Sequence, residues 1–264
     1  MVENEVERFP ILRLTRESRS NIEEMFAREL PITIILNDQE LVTMLCSPTN
    51  LEYLAVGFLY SEGLLKSKDE IKKIFVDDER GVVRLETVED KEFVQDVLFK
   101  RIISSGCGRG ASFYSTADTT SQKVESQMKI STDEVFALVN EFQHGSAVYL
   151  ATGGVHSAAL CDKKSILVFS EDIGRHNAID KIFGKCLLED ISTDDRVVIT
   201  SGRISSEILH KVAKRGIPII ISISVPTNLG VRIADNLGIT LISSVRGKRM
   251  NVCTNGWRIV TDGR

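Results

Sequence analysis

Apolar runs that end in polar residues recur along the second half of the chain. One run covers residues 166–169, and three more lie within residues 196–200, 217–223 and 239–243. A continuous apolar run of this length is typical of a strand buried on both faces. Helical periodicity follows the first three runs, and this alternation predicts an α/β fold with a largely parallel sheet. Ligands bind such sheets beyond the carboxyl ends of the strands, where these polar residues lie.

The first half of the chain predicts a smaller α+β unit. Strand patterns occupy residues 32–36, 41–46, 74–76 and 81–87. Asn37 and Asp38 separate the first two strands and predict a hairpin turn. Thr49 and Glu52 have the spacing of a capping box, which predicts a helix start. The helix that follows can turn four apolar residues toward a core: Leu51, Leu54, Ala55 and Phe58.

The middle of the chain separates two predicted domains. Residues 104–130 are rich in Ser, Thr, Gly and charge and have no sustained period, which predicts a long mobile loop. Ser131 and Glu134 form a capping box for the next helix. We therefore predict an N-terminal α+β domain of residues 1–103, the loop, and a C-terminal domain of residues 131–264.

One polar string, residues 171–181, follows the strand at residues 166–169 and contains acid, base and amide side chains. Gly174 opens the helical pattern, so Arg175, His176 and Asn177 lie in the first helical turn. Unpaired N–H groups and the positive end of the helix dipole make such a turn a potential anion site. The alternative is a solvated helix start that Asp172 merely caps.

Other candidate ligand contacts lie at the ends of the second and last strands and beside a pair of glycines. Ser201 and Arg203 follow the second strand, and His156 stands beside glycines, where it is either a ligand contact or a structural hydrogen-bonding residue. The last strand ends in a basic segment that suits a pyrophosphate, although a solvated basic turn has the same composition. Its residues are Ser244, Val245, Arg246, Gly247, Lys248 and Arg249.

Five scattered cysteines indicate reduced thiols rather than a disulfide framework. Cys107 is flanked by Gly106 and Gly108, and Arg109 can lower its pKa by favouring the thiolate. A mobile, activated thiol is what a sulfur carrier requires. The other four have apolar neighbours and are predicted to be small buried residues: Cys46, Cys161, Cys186 and Cys253.

Several motifs together resemble the FdhD family of formate dehydrogenase accessory sulfurtransferases. They cover residues 50–63, 152–159, 171–181, 201–203 and 246–252. The resemblance implies a carrier that takes persulfide sulfur from a cysteine desulfurase and passes it to a molybdenum or tungsten cofactor carrying guanine dinucleotides. It also implies a cytidine-deaminase-like, three-layer C-terminal domain, formate dehydrogenase as a partner, and a homodimer.

The resemblance also assigns roles within the candidate site. The basic segment at residues 244–249 would hold the guanine-dinucleotide moiety, and the polar residues at the neighbouring strand ends would line it. The guanine base needs an acceptor for its N–H groups, and Asp172 or Asp180 could serve. The chain departs from many family members in having Cys107 without a second cysteine in a C-x-x-C pair. A single thiol can still carry sulfur, but a non-catalytic accessory protein that binds nucleotide or cofactor is the alternative.

Two kinds of hydrolase are the other candidate functions. A zinc deaminase needs an H-x-E motif and a P-C-x-x-C motif. The corresponding segments here, residues 176–178 and 201–205, lack the glutamate and the cysteine pair, so the sequence predicts no zinc. A hydrolase that pairs Cys107 with His176 requires the two side chains to meet in space.

Charge and hydropathy exclude further classes of function. The net charge of −4 argues against general nucleic-acid binding. No apolar stretch is long enough to cross a bilayer, and the acidic N-terminus does not resemble a signal peptide. The sequence therefore predicts a cytoplasmic protein.

Overall fold

The N-terminal part contains a long hairpin and a four-stranded sheet. The computed structural model describes residues 4–89, 101–103, 111–113 and 123–261. Strands β1 (Val6–Leu14) and β2 (Arg19–Ala27) pair antiparallel. The sheet has the order β4-β3-β6-β5. Its members are β3 (Leu30–Leu36), β4 (Gln39–Cys46), β5 (Ile71–Asp77) and β6 (Val82–Thr87), and helix α1 (Leu51–Glu62) lies between β4 and β5 in the chain.

The predicted hairpin and helix are confirmed, but the predicted capping box is wrong. Asn37 and Asp38 form the turn between β3 and β4, with φ of 46° and 61°. Asn50 caps α1 in a left-handed conformation without a side-chain hydrogen bond. Thr49 instead donates its hydroxyl to Glu5, 2.8 Å away. The predicted apolar face of α1 is buried.

The predicted loop at residues 104–130 is too long. Strands β7 (Arg101–Ile103) and β8 (Ala111–Phe113) pair antiparallel, so part of the predicted loop is a strand. Val124 and Met128 are buried, and β9 (Ile130–Ser131) follows them. Cys107 lies outside the described residues. The domain boundary that was placed in this region stays a prediction.

The C-terminal part is built on a six-stranded sheet of order β11-β10-β12-β13-β14-β15. The prediction of a largely parallel sheet is wrong, because three of its five pairings are antiparallel. Residues 162–165 connect β10 to β11 too briefly for a crossover, so these strands form a hairpin. The strands are β10 (His156–Cys161), β11 (Ile166–Asp172), β12 (Val197–Thr200), β13 (Ile219–Ser222), β14 (Thr240–Arg246) and β15 (Arg249–Val252).

Helices cover both faces of this sheet and give three layers. Helix α2 (Thr132–His144) begins with the predicted capping box and packs on one face. Alternate residues of the buried strands point to the opposite face. That face is covered by α4 (Arg175–Leu188), α5 (Ser206–Ala213) and α6 (Asn228–Asn236), while the short α3 (Ala147–Thr152) precedes β10 and β16 (Ile259–Val260) pairs with β9.

A glycine-lined crossing joins the two parts of the chain. Helix α1 packs along α4, where Gly57 and Gly184 face the opposite backbone. A Cβ at Gly57 would lie 1.8 Å from the Asp180 carbonyl oxygen, and one at Gly184 would lie 1.9 Å from the Tyr53 carbonyl oxygen. Since neither position has room for a side chain, glycine sets how closely the helices approach.

Candidate functional site

The predicted polar positions share one edge of the six-stranded sheet. β10 runs antiparallel to both β11 and β12, so β11, β12, β13 and β14 all point the same way. His156 at the start of β10 therefore lies opposite Asp172 at the end of β11. Ser201 follows β12, and Arg246 ends β14. Neighbouring strands lie about 4.7 Å apart, so the strand-end edge from β10 to β14 is about 14 Å long.

Asp172 is an internal structural anchor. Its side chain is fully buried. Oδ1 accepts hydrogen bonds from the Gly174 N–H at 2.8 Å and from Asn177 Nδ2 at 2.9 Å. Oδ2 accepts from the Ser47 N–H at 3.1 Å and lies 2.7 Å from Lys181 Nζ. With four donors already in place, the carboxylate cannot serve a guanine base, and that predicted role is corrected.

The side chains of Asn177 and Asp180 are likewise engaged in hydrogen bonds with other residues of the protein. Asn177 donates its amide to the Leu45 carbonyl as well as to Asp172. Asp180 is buried, accepts from the Ser61 hydroxyl at 2.6 Å, and lies 2.5 Å from Lys211 Nζ. Burial alone would lower the pKa of Lys211, but the Asp180 carboxylate and its acidic neighbours raise it above the ordinary value. The prediction that Asp180 accepts from guanine is therefore also corrected.

Two residues of this anchor were not predicted. The Lys181 side chain is completely buried and also donates to the carbonyls of Ser47 and Glu171, at 3.4 and 3.3 Å. Ser47 accepts from the Ile173 N–H through its hydroxyl. The sequence did contain a signal for Lys181, because this lysine, between Asp180 and Ile182, falls on an otherwise apolar face of the predicted helix. The sequence around Ser47 contains no comparable signal.

Two neutral histidines stand at the strand-end edge. His176 Nε2 lies 3.3 Å from Glu207 Oε2, and burial, followed by Lys211 and Arg175, lowers the pKa of His176 to about 3. His156 Nδ1 lies 3.3 Å from Ser201 Oγ, and burial, followed by Arg175, lowers its pKa. A neutral imidazole has one donor and one acceptor nitrogen. The sequence did not point to Glu207.

Arg175 lies against the end of β12 because residue 202 is glycine. A Cβ at Gly202 would lie 2.7 Å from Arg175 Cβ and 3.1 Å from its Cδ. Arg203, the next residue, is exposed. Any side chain larger than hydrogen at position 202 would displace Arg175 from the edge.

The basic segment forms the tip of the β14–β15 hairpin. Gly247 has φ of 56°, as the tight turn requires, and the Ser244 N–H donates to the Ser224 carbonyl. Val245 is 1% exposed and packs in the core, so its side chain cannot contact a ligand as predicted. The cationic side chains at the tip are exposed: Arg246, Lys248 and Arg249.

Most of the chain matches one protein family. The model of the FdhD/NarQ family matches residues 27–260. The chain belongs to the FdhD/NarQ family. Its predicted resemblance to FdhD proteins is thereby confirmed.

Relatives of this FdhD/NarQ chain match it over nearly their whole length. The sulfur carrier protein FdhD of Bacillus subtilis is 44% identical over 91% of this chain and 92% of the relative. That of Listeria innocua is 42% identical over 96% and 98%. The crystal structure of a proposed formate dehydrogenase accessory protein from Desulfotalea psychrophila is similar with a TM-score of 0.80 and 28% identity, covering 97% of this chain and 99% of the other.

Burial keeps three cysteines of this FdhD/NarQ chain in the neutral thiol form. Cys46, Cys161 and Cys186 are buried, and burial raises the pKa of each to about 12. Their predicted role as small buried residues is confirmed. Cys253 is only half-buried, with Sγ 3.3 Å from Ser243 Oγ, so the prediction that it is buried is wrong.

The described residues contain neither a metal-binding cluster nor a membrane-spanning helix. No group of three or more His, Cys, Asp or Glu residues within them is arranged to hold a metal ion. None of the helices within them has the length and apolar character needed to cross a membrane. The absence of zinc stays a prediction from the sequence.

Proposed function

We propose that this chain is a sulfur carrier with sulfurtransferase activity that serves formate dehydrogenase. The observation that carries the proposal is the match to the FdhD/NarQ family over residues 27–260, together with relatives named sulfur carrier protein FdhD. Sulfur comes from a cysteine desulfurase, rests on Cys107 as a persulfide, and is delivered to a molybdenum or tungsten cofactor with guanine dinucleotides. The protein acts in the cytoplasm as a homodimer.

The chemistry of loading favours Cys107. Its thiolate attacks the terminal sulfur of the donor persulfide, a new S–S bond forms, and the donor S–S bond breaks with its electron pair left on the donor cysteine. This step requires a thiolate near neutral pH. Cys46, Cys161 and Cys186, with pKa values of about 12, are protonated there. Arg109 beside Cys107 favours the anion.

The strand-end edge is the proposed cofactor site. Arg246, Lys248 and Arg249 offer exposed cations for a pyrophosphate at one end. About 14 Å away, His156 at the start of β10 offers an acceptor nitrogen, and His176 on α4 offers another. These two replace Asp172 and Asp180 as candidates for contact with the guanine base. An extended dinucleotide can span this distance. The bound cofactor supplies the metal chemistry, and the chain supplies binding and orientation.

We also infer a cytidine-deaminase-like fold for the C-terminal part. The three layers and the sheet order β11-β10-β12-β13-β14-β15 support this assignment. The first turns of α4 and α5 meet at the strand-end edge, where His176 Nε2 lies 3.3 Å from Glu207 Oε2. In the sequence, Gly202 and Ser205 correspond to the cysteine pair of the zinc-deaminase motif, and the side chain of Arg175 lies against Gly202.

Mass spectrometry after incubation with a cysteine desulfurase and cysteine tests the proposal. A peptide containing Cys107 should gain one sulfur atom, and Cys107→Ala should abolish both this gain and the maturation of formate dehydrogenase. Cys253→Ala is the matched control and should retain both. Sulfur found only on another cysteine would overturn the assignment, and GDP binding without any sulfur gain would favour the non-catalytic accessory protein.

A further inference from the structure

The N-terminal hairpin, formed by β1 and β2, is a sheet of two strands. Among the described residues, no third strand pairs with it. All of its strand residues are described, none of them is fully buried, and Phe9 and Phe26 are 46% and 44% exposed. A two-stranded hairpin alone is at best marginally stable in water, whereas three or more strands can be stable. A further strand would therefore stabilise the hairpin.

The hydrogen bonds of the hairpin show which backbone groups point outward. The Arg28 N–H donates to the Glu5 carbonyl at 2.8 Å, and the Thr15 N–H donates to the Ser18 carbonyl at 2.9 Å. Hydrogen-bonded pairs alternate along an antiparallel ladder, so the odd-numbered residues of β1 bond to the even-numbered residues of β2. The backbone groups of the other residues, even-numbered in β1 and odd-numbered in β2, therefore point to the two free edges.

The two free edges are not equivalent. The outward positions of β1 include Pro10, which has no N–H to donate, and a proline in this position protects an edge against strand addition. No proline interrupts residues 19–25 of β2, and the outward residues there are exposed up to Glu23. The contact with Gly154 lies beyond this stretch, at Ala27. The edge of β2 is therefore the one that can accept another strand.

One antiparallel register suits the pairing of β2 with β2 of a second copy. In this register Ile22 lies on the two-fold axis, opposite Ile22 of the second copy. Asn21 then lies opposite Glu23 of the second copy, and Ser20 lies opposite Glu24. The outward residues of both strands fall in hydrogen-bonded pairs, which gives about eight backbone hydrogen bonds.

Other registers of this pairing are less favourable. A register centred on Glu23 or Glu24 would place two carboxylates opposite each other, and like charges in that position are destabilising. A register centred on Asn21 would lose about two of the hydrogen bonds, because Met25 would then lie opposite the hairpin turn of the second copy. The register centred on Ile22 is therefore the most favourable of these.

The same register joins the apolar residues of the two hairpins. Ile11 lies opposite Ile22 within the hairpin, so the four strands would carry a continuous row of four isoleucines. The charges are also complementary, because residues 6–27 contain four arginines and four glutamates, and Arg19 lies diagonal to Glu23 of the second copy. A two-fold interface places one surface against itself, which requires such a balance.

We propose that residues 19–25 of β2 form a homodimer interface, in which two hairpins join as one four-stranded sheet. The strand order is β1-β2-β2-β1, so Pro10 lies on both outer edges and limits the assembly to two copies. The inference rests on the proposed function in one respect, because it specifies how the proposed homodimer is held together. It does not depend on sulfur transfer.

Sedimentation equilibrium of the full chain tests the proposal with two proline variants. Wild type should be dimeric at micromolar concentration. Asn21→Pro removes an outward N–H and leaves the bonds to β1 intact, so the dissociation constant should rise about tenfold or more, since two intermolecular bonds are lost by symmetry. Leu12→Pro is the matched control, because Leu12 lies opposite Asn21 and its N–H points to the other free edge. This control should dimerise like wild type.

Charge variants at position 21 provide a second test of the interface. Asn21→Glu places a carboxylate opposite Glu23 of the second copy, and Asn21→Lys places an ammonium group there. The dissociation constant should rise severalfold in the first variant and fall in the second. Asn21 is exposed, so neither change should affect folding.

Disulfide cross-linking tests the register. In a Cys107→Ala Cys253→Ala background, Ile22→Cys should form an intermolecular disulfide on oxidation with diamide, since paired residues on the two-fold axis have Cα atoms about 4.5 Å apart. The remaining native cysteines are buried. Ser20→Cys is the control on the same face and should not cross-link, because the two copies of residue 20 would lie about 14 Å apart.

Each of four results would overturn the proposal. They are a wild type that is monomeric at micromolar concentration, a dimer that Asn21→Pro leaves unchanged, equal weakening by Asn21→Pro and Leu12→Pro, and a dimer in which Ile22→Cys does not cross-link. Sulfur loading of Cys107 is measured on the same samples. Failure of wild type to load sulfur would overturn the proposed function and leave the strand pairing intact.

Discussion

Lys181 Nζ lies 2.7 Å from Asp172 Oδ2, and both side chains are completely buried. This ion pair connects the end of β11 to α4, and through Ser47 it also holds the end of β4. It therefore supports the helix start that presents Arg175 and His176 at the strand-end edge. The ion pair lies beneath the strand-end edge. Its hydrogen-bonding atoms already have partners within the protein.

Breaking this ion pair should destabilise the fold strongly. Asp172→Ala leaves the Lys181 ammonium buried without its carboxylate, so the free energy of unfolding should fall by about 3–5 kcal/mol. Urea unfolding measures the change. Lys163→Ala, which alters an exposed lysine in the turn between β10 and β11, is the control and should change it by less than about 0.5 kcal/mol. A loss below about 1 kcal/mol for Asp172→Ala would contradict the assigned role.

Alanine at the glycine crossing should push α1 away from α4. Gly57→Ala and Gly184→Ala each place a methyl group within 2 Å of a carbonyl oxygen, so each should cost about 1–3 kcal/mol or more. Thermal melting measures the loss. Gly145→Ala is the matched control, because its φ is −76° and the nearest atom to an added Cβ is 3.6 Å away. If all three variants have the same melting temperature, the helices do not require this close approach.

Stability should fall in acid partly because of His176. Its pKa is about 3 in the folded protein and about 6.5 when unfolded, so the unfolded chain binds the extra proton between these values. The contribution of His176 is therefore favourable above pH 6.5 and is lost as the pH falls toward 3, by up to about 1.4 kcal/mol per pH unit.

His176→Asn removes this titration. The difference in unfolding free energy between wild type and variant should shift against wild type as the pH is lowered from 7 to 4, measured by urea unfolding at each pH. A difference that does not depend on pH would mean that His176 titrates normally in the folded protein. His144→Asn, at the exposed end of α2, is the control.

The basic hairpin tip should contribute to nucleotide affinity without contributing to stability. Arg246→Ala with Lys248→Ala removes two exposed cations, so GDP binding should weaken about tenfold or more, while the melting temperature stays unchanged. Calorimetry and thermal melting measure the two effects. Equal GDP affinity in wild type and the double variant would show that the hairpin is not part of the proposed cofactor site.

Local sequence patterns predicted the secondary structure well, with errors that have physical causes. The Ser131 capping box and the buried face of α2 are correct because their partners lie within a few residues. The Thr49 capping box fails because Glu5, far away in the chain, takes the hydroxyl. The largely parallel sheet fails because the short connection at residues 162–165 reverses β10.

The sequence by itself determined the family motifs, the apolar strands and the common edge at which Ser201 and Arg246 lie. These follow from periodicity and from the direction of the chain, which are local properties. Only the tertiary structure decided which polar residues at that edge could bind a ligand and which are already engaged by other residues of the protein. Asp172 binds Ser47, which is 125 positions away, and Asp180 binds Ser61, which is 119 positions away. In the sequence, a carboxylate whose hydrogen bonds are all made inside the fold cannot be distinguished from one that is free to bind a ligand. The reason is that its partners come from distant segments, which meet only in the folded protein.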